Sequence, residues 1–253
     1  SSNFFNFNIV IKLFSYRIIF LMKIEVKNLK KKFNKNSVLN DISLTIHKNK
    51  STIILGKSGC GKSVLIKTIY KLFTYDSGSI LYDGKYEVDI DKFSMLFQYG
   101  ALFDSLKISE NIAFTDYINN KMNFDKKVFS LMNDVGLDKS AFNKYPSEIS
   151  GGMKKRAALA RALYKNPKVI FLDEPTTGLD PINSDKINEL IIKVIRKRKI
   201  TAVSITHDIK SAIKTGDNYY FIDNGVIEDE GECKKILKSK NKVFKSFVTG
   251  GKY

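Results

Sequence analysis

Apolar and polar residues alternate through IEVKNL and LNDISLTIH near the start of the chain, as they do in half-buried antiparallel strands. The rhythm changes at Ser51. STIILG (Ser51–Gly56) is a short unbroken apolar run of the kind that fills a parallel strand covered on both faces. SMLFQ (Ser94–Gln98), VIFLD (Val169–Asp173) and ITAVSIT (Ile200–Thr206) read as further core strands. Helices are expected from Ser63 to about Phe73, over Met153–Lys165 and over Ser184–Arg198. Residues from about Gly100 to Ser150 hold helical patches such as KKVFSLMNDVGL and no obvious strand, so they read as an inserted helical subdomain. In YYFIDNGVIEDEG, Asn224-Gly225 separates two strand-like runs, which signals a type I′ hairpin. Strands alternating with helices imply an α/β fold with a parallel core sheet and right-handed crossovers. Ligands then belong at the carboxyl ends of its strands.

At 253 residues the chain can bury one sizeable core. Its net charge of +17 favours an anionic partner. Only five of the cations are Arg, however, and the lysines are spread along the chain. That distribution reads as a solvated surface, without the dense Arg stripe that reads a duplex, and no nucleic-acid partner is expected. Cys60 and Cys233 are too few and too far apart for a disulfide framework or a zinc site, which favours a reducing compartment. Phe4–Met22 is apolar, but Lys12 and Arg17 interrupt it and it is short for a membrane span. Met22, where the regular alternation begins, is the expected start; residues 1–21 are an upstream extension, with an interfacial anchor as the rival reading.

The chemistry concentrates at four strand ends. GKSGCGKS (Gly56, Lys57, Ser58, Gly59, Cys60, Gly61, Lys62, Ser63) matches G-x-x-x-x-G-K-[ST] between an expected strand and an expected helix. Such glycines let the backbone N–H groups wrap a phosphate, and the helix N-terminus adds positive dipole. Lys62 then reaches the β- and γ-phosphates of ATP, and the Ser63 hydroxyl ligates Mg2+. Cys60 fills a free position of the motif and reads as packing. At the tip of VIFLD, Asp173 suits Mg2+, directly or through water, and Glu174 suits polarising an attacking water. His207 ends the next strand in the same plane, placed for a γ-phosphate contact. Gln98 ends SMLFQ in the same way, within reach of Mg2+ or the water.

ISGGMKKRAALARALYKNP (Ile149–Pro167) poses a separate problem. From Met153 it is a strong helix, yet its mouth is Ser150-Gly151-Gly152, and Gly is about 1 kcal/mol worse than Ala inside a helix. Two readings stand: a second anion-binding helix start, serving a nucleotide held by another copy, or a packing device.

GKSGCGKS, FQ, SGG, FLDEPTTGLD and TH occur in the order and spacing of ABC transporter ATPase subunits, and the likeness runs from about Lys23 to Gly231. The resemblance implies an ABC-ATPase domain over 22–235, with its helical subdomain at about 100–152, an N-terminal antiparallel β subdomain and a tail at 236–253. It also implies an ATPase that works as a head-to-tail dimer. Ser150, Gly151 and Gly152 of one copy then contact the γ-phosphate held by the other, with Met153 next in the same trans signature, Asp180 lies in the loop coupling the two sites, and Phe33 stacks on adenine. Met153 stands where the common signature LSGGQ has Gln. That change and FQYGALFDSLKISENIAF (Phe97–Phe114) resemble the subgroup that powers MCE/Mla-type phospholipid transporters. The implied partners are an integral-membrane permease met around Gln98–Phe114, an MCE lipid-binding protein and a STAS-domain subunit. The implied place is peripheral, on the cytoplasmic side of the inner membrane. The alternatives are an importer ATPase for another cargo, such as ribonucleotides or amino acids, and an ABC ATPase acting on nucleic acid. The tail KNKVFKSFVTGGKY is expected either to pack on a neighbouring subunit or to fray.

Overall fold

The computed structural model describes residues 22–34, 36–121 and 123–250. The expectations for residues 1–21 lie outside them. β1 (Ile24–Phe33) and β2 (Asn36–Ile46) pair antiparallel, and β4 (Ser77–Tyr82) pairs with the other edge of β1, giving a three-stranded sheet ordered β2-β1-β4. Their inward positions Ile24, Val26, Leu29, Ile42, Leu44 and Ile46 are buried, as the alternating sequence requires. β4 is absent from the sequence reading.

The second sheet has six strands ordered β5-β6-β7-β3-β8-β9. It comprises β3 (Ser51–Leu55), β5 (Phe93–Leu96), β6 (Val169–Asp173), β7 (Thr201–Ile205), β8 (Asn218–Asp223) and β9 (Val226–Glu232). All neighbours are parallel except β9, which returns antiparallel to β8. Between these two strands Asn224 and Gly225 both have positive φ, 46° and 76°, the conformation a type I′ turn requires. β3 and β7 are buried at every position, which is why their sequences are continuously apolar or small.

Helix α1 (Lys62–Ile69) follows β3. It stops short of the expected Phe73 because Lys71 turns left-handed at φ 62°. The Leu72 and Lys71 N–H groups then fold back onto the carbonyls of Lys67 and Thr68, a Schellman ending made without glycine. The inserted region carries α2 (Ile108–Ile112), α3 (Phe114–Ile118) and α4 (Asp125–Asp134) and, among the described residues, no strand. It packs on α5 (Gly151–Leu163), whose buried Ala157, Ala158, Ala160 and Leu163 join Ile108, Ile112, Val128 and Met132 in one cluster. α6 (Pro181–Arg198) and α7 (Ile209–Thr215) complete the crossovers.

The tail departs from the frayed alternative. α8 (Lys242–Val248) docks on its own chain: Phe244 is fully buried and its ring lies 5.1 Å from that of Tyr219 and 4.9 Å from that of Phe221. Among the described residues, no helix is long and apolar enough to cross a membrane.

Candidate functional site

The strand order decides which loops meet. β3, β5, β6 and β7 are parallel members of one sheet, so the segments leaving their carboxyl ends emerge along one edge. Those segments carry Gly56–Ser63, Gln98, Asp173-Glu174 and His207, and the sheet gathers the four on one side as the sequence reading expects.

The phosphate loop is a turn of unusual backbone. Gly61 precedes α1 at φ 105°, and a Cβ there would come within 2.9 Å of the Val38 carbonyl oxygen. Glycine is therefore required by both conformation and space. Lys62 is buried; its Nζ donates to the carbonyls of Gly56 (2.8 Å) and Lys57 (2.7 Å), which keeps the ammonium inside the concavity of the loop. Cys60 is buried and its thiol lies 3.9 Å from that ammonium. Burial pushes the Cys60 thiol pKa up, away from the thiolate that redox chemistry uses.

Glu174 is the hub of the strand-tip cluster. β6 ends at Asp173, and Glu174 turns left-handed at φ 44°, its N–H donating to the Ile205 carbonyl at 3.1 Å. Its Oε1 lies 3.0 Å from His207 Nδ1, while Oε2 accepts from Gln98 Nε2 at 3.3 Å and from Thr177 Oγ1 at 2.9 Å. Burial works to raise the Glu174 pKa, but the hydrogen bonds from His207 and Thr177 outweigh it and hold the carboxyl below the ordinary range. Asp173 moves the other way: burial, then the charge of Glu174, push its carboxyl up, with Lys67 and Lys62 opposing. Two neighbouring acids are thus driven apart, the pattern of groups with distinct jobs. Thr177 was missed by the sequence reading, although its position one turn after Glu174 in EPTT is the available signal.

Phe33 is 40% exposed at the end of β1, packed edge-on against Phe73 at 5.5 Å with the Lys31 ammonium 5.1 Å from its ring centre. It is a ring with surface to spare beside β2, whose Val38 and Leu39 touch the phosphate loop.

Ser150, Gly151 and Gly152 are not part of this cluster. Helix α5 begins at Gly151, two residues earlier than expected, because Ser150 serves as its N-cap and accepts from the Met153 N–H at 3.3 Å. The glycines therefore form the first turn, where backbone N–H groups have no intrahelical partner. A Cβ on Gly151 would meet only the Leu179 side chain, at 3.9 Å, and one on Gly152 would meet nothing within 4 Å. Among the described residues, nothing needs glycine at either position. Leu179 precedes Asp180, which caps α6 by accepting from the Asn183 N–H at 3.0 Å. The SGG turn and the Asp180 loop are thus neighbours on one face.

Ser63, Gln98 and Asp173 carry oxygen donors suited to a hard cation, and Asp173 lies close enough to Lys62 of the phosphate loop to feel its charge. Among the described residues no cluster of three or more His, Cys, Asp or Glu could hold a metal by itself. Hydroxyl, amide and carboxylate oxygens suit Mg2+, which commonly keeps several waters and completes its shell with phosphate.

Comparisons with known proteins agree with this geometry. The family model described as ABC transporter matches residues 39–177. The chain is 35% identical over 233 residues to the sulfate/thiosulfate import ATP-binding protein CysA of Pseudomonas syringae, covering 88% of this chain and 71% of that one. It is 34% identical over 245 residues to the probable ribonucleotide transport ATP-binding protein mkl of Mycobacterium bovis, covering 90% and 67%. Among solved structures, cbiO1 of Clostridium perfringens, part of the ABC transporter complex cbiONQ, superposes with a TM-score of 0.77 at 28% identity, covering 89% of this chain and 94% of that one. A dimeric post-hydrolysis structure of the ATP-binding cassette MJ0796 with ADP and Pi gives a TM-score of 0.71 at 28% identity, covering 83% and 98%.

Proposed function

We infer the role of this chain from one premise: it belongs to the ABC transporter family, as an ATP-binding subunit that hydrolyses ATP. We propose that its working unit is a head-to-tail pair. The Gly56–Ser63 loop of one copy holds the ATP phosphates, with Lys62 on the β- and γ-oxygens and Phe33 against the adenine. Ser150, Gly151 and Gly152 of the other copy cap the γ-phosphate. The observation that carries this reading is the free space around Gly151 and Gly152. A capped helix start that could accept side chains within its own chain keeps two glycines, as it would if a second molecule's phosphate approached its backbone.

In the closed pair, Glu174 accepts a proton from the attacking water, which requires the ionised carboxylate that its donors maintain. Gln98 and His207 fix the direction of that carboxylate, one on each oxygen, and His207 faces the γ-phosphate. Asp180 relays the state of one site to the other. Ser63, Gln98 and Asp173 would hold Mg2+, which when bound neutralises charge on the phosphates. ATP closes the pair because it binds the closed arrangement better than the open one, and hydrolysis reverses that preference.

The partner that turns closure into transport is an integral-membrane permease. Exposed Phe97, Phe103 and Leu72 around a cleft of about 520 Å³ lined also by Phe114 support docking at Gln98–Phe114. The chain then sits peripherally on the cytoplasmic side of the inner membrane. For cargo we propose phospholipid, moved with an MCE lipid-binding protein and a STAS-domain subunit. Support comes from SGGMKKR at the start of α5 and from FQYGALFDSLKISENIAF beside the cleft. The second reading, import of a small anion or nucleotide, is favoured by relatives named for sulfate/thiosulfate import and ribonucleotide transport. Purification of the Glu174→Gln variant from membranes decides between them. A co-purifying single-span lipid-binding protein supports the lipid reading; a soluble solute-binding protein overturns it.

A further inference from the structure

The segment leaving β5 lies flat against α5. Gly100 and Ala101 adopt φ 76° and 47°, and a Cβ on Gly100 would sit 3.2 Å from the Ala158 side chain. Three main-chain carbonyls of this segment accept from cations of that one helix. Lys155 Nζ donates to the Gln98 oxygen, and Arg161 donates to the Gly100 and Ala101 oxygens at 2.6 and 2.7 Å. Lys155 is the deepest contact, only 7% exposed, and burial lowers its pKa. Burying an ammonium is costly unless a strong hydrogen bond offsets the lost water. Here the bond goes to the residue whose side-chain amide donates to Glu174. The same ammonium stands one turn into the helix whose first residues are Gly151 and Gly152.

We propose that Lys155 is a positioning residue that ties the glycine-headed helix to Gln98, and through Gln98 to the carboxylate of Glu174. A partner's phosphate that seats the start of α5 thereby also seats the group that activates water in the same chain. α5 is continuous from Gly151 to Leu163, so a shift at its first turn carries Lys155 with it. The inference rests on the roles of Gln98 and Glu174 proposed above.

The test uses the full chain and steady-state ATPase kinetics, with thermal midpoints measured alongside. Lys155→Met removes the donor at similar length. It should lower kcat on the order of tenfold while KM for ATP stays within about twofold, the mark of an interaction that matters in the transition state. Lys155→Arg, which keeps a cationic donor, should recover most of the rate. Added to Gln98→Ala, Lys155→Met should cost nothing further, because the two act in series. Unchanged kcat, or a loss that adds in full to that of Gln98→Ala, overturns the proposal. If Lys155→Met does not fold, Lys155→Leu, which likewise lacks a donor, replaces it with the same two outcomes. Glu174→Gln separates the two levels: if it keeps the full rate, the underlying site reading fails and this inference with it. If it loses the rate while Lys155→Met keeps it, only the Lys155 tie fails.

Discussion

Glu174 Oε1 and His207 Nδ1 lie 3.0 Å apart across the tips of neighbouring parallel strands β6 and β7. The contact exists because Asp173 pairs in register with Ile205, so the residues that follow each strand project side by side. The other oxygen of the same carboxylate is taken by Thr177 and Gln98. A carboxylate so surrounded is held ionised.

Its pH dependence follows in sign. The Glu174 pKa is lowered, so the stability it contributes is present above the unfolded-state value and lost as pH falls through the folded-state value. The acid limb of kcat depends on the same ionisation. Thr177→Val deletes one of the donors that lower this pKa and should move the acid limb to higher pH. A pH–rate profile checks it, and a limb that stays put or moves down contradicts the assignment.

The tail prediction concerns packing alone. Phe244→Ala empties a fully buried site between Tyr219 and Phe221 and should cost about 3 to 5 kcal/mol of unfolding free energy. Denaturant melts measure this. A loss near zero would mean that α8 does not hold its place on the chain.

Met153 packs partly buried against the α5 cluster, and Gln is close to it in volume. Met153→Gln should leave ATP binding intact and alter the ATPase rate only modestly, since Met153 is only half-buried and the new amide keeps access to water. Nucleotide titration and turnover assays check both halves. Loss of folding would show that the thioether is a core element.

Most of the catalytic edge was legible in the sequence because its strands are unbroken apolar runs that end in chemistry: VIFLD in Asp173, ITAVSIT just before His207, STIILG in the phosphate loop. β4 was not legible, since SGSILY opens on Ser-Gly and offers too little alternation to stand out. The early end of α1 was hidden because Lys71 takes the left-handed position that glycine usually marks. α8 was hidden by its lysines: Phe244 and Phe247 share a face only when the segment is helical, and they read as isolated rings in a basic stretch. Lys155 bonds to Gln98, a partner distant in sequence that spacing alone does not reveal, whereas Thr177 stands one turn from Glu174 and was overlooked. The two glycines at the head of α5 were visible, but only the structure shows that no described residue of the same chain needs them there.

A mixing experiment decides whether the site is shared between copies. Lys62→Ala damages only the phosphate loop, and Gly151→Arg damages only the capping helix start. Each variant alone, folded by its thermal midpoint, should be inactive. In a head-to-tail pair of one of each, one site receives both lesions and the other receives neither. An equimolar, randomly re-paired mixture should therefore recover about a quarter of the unaltered ATPase rate. A mixture as inactive as its components, or a Gly151→Arg chain that turns over ATP at full rate by itself, would contradict the shared site.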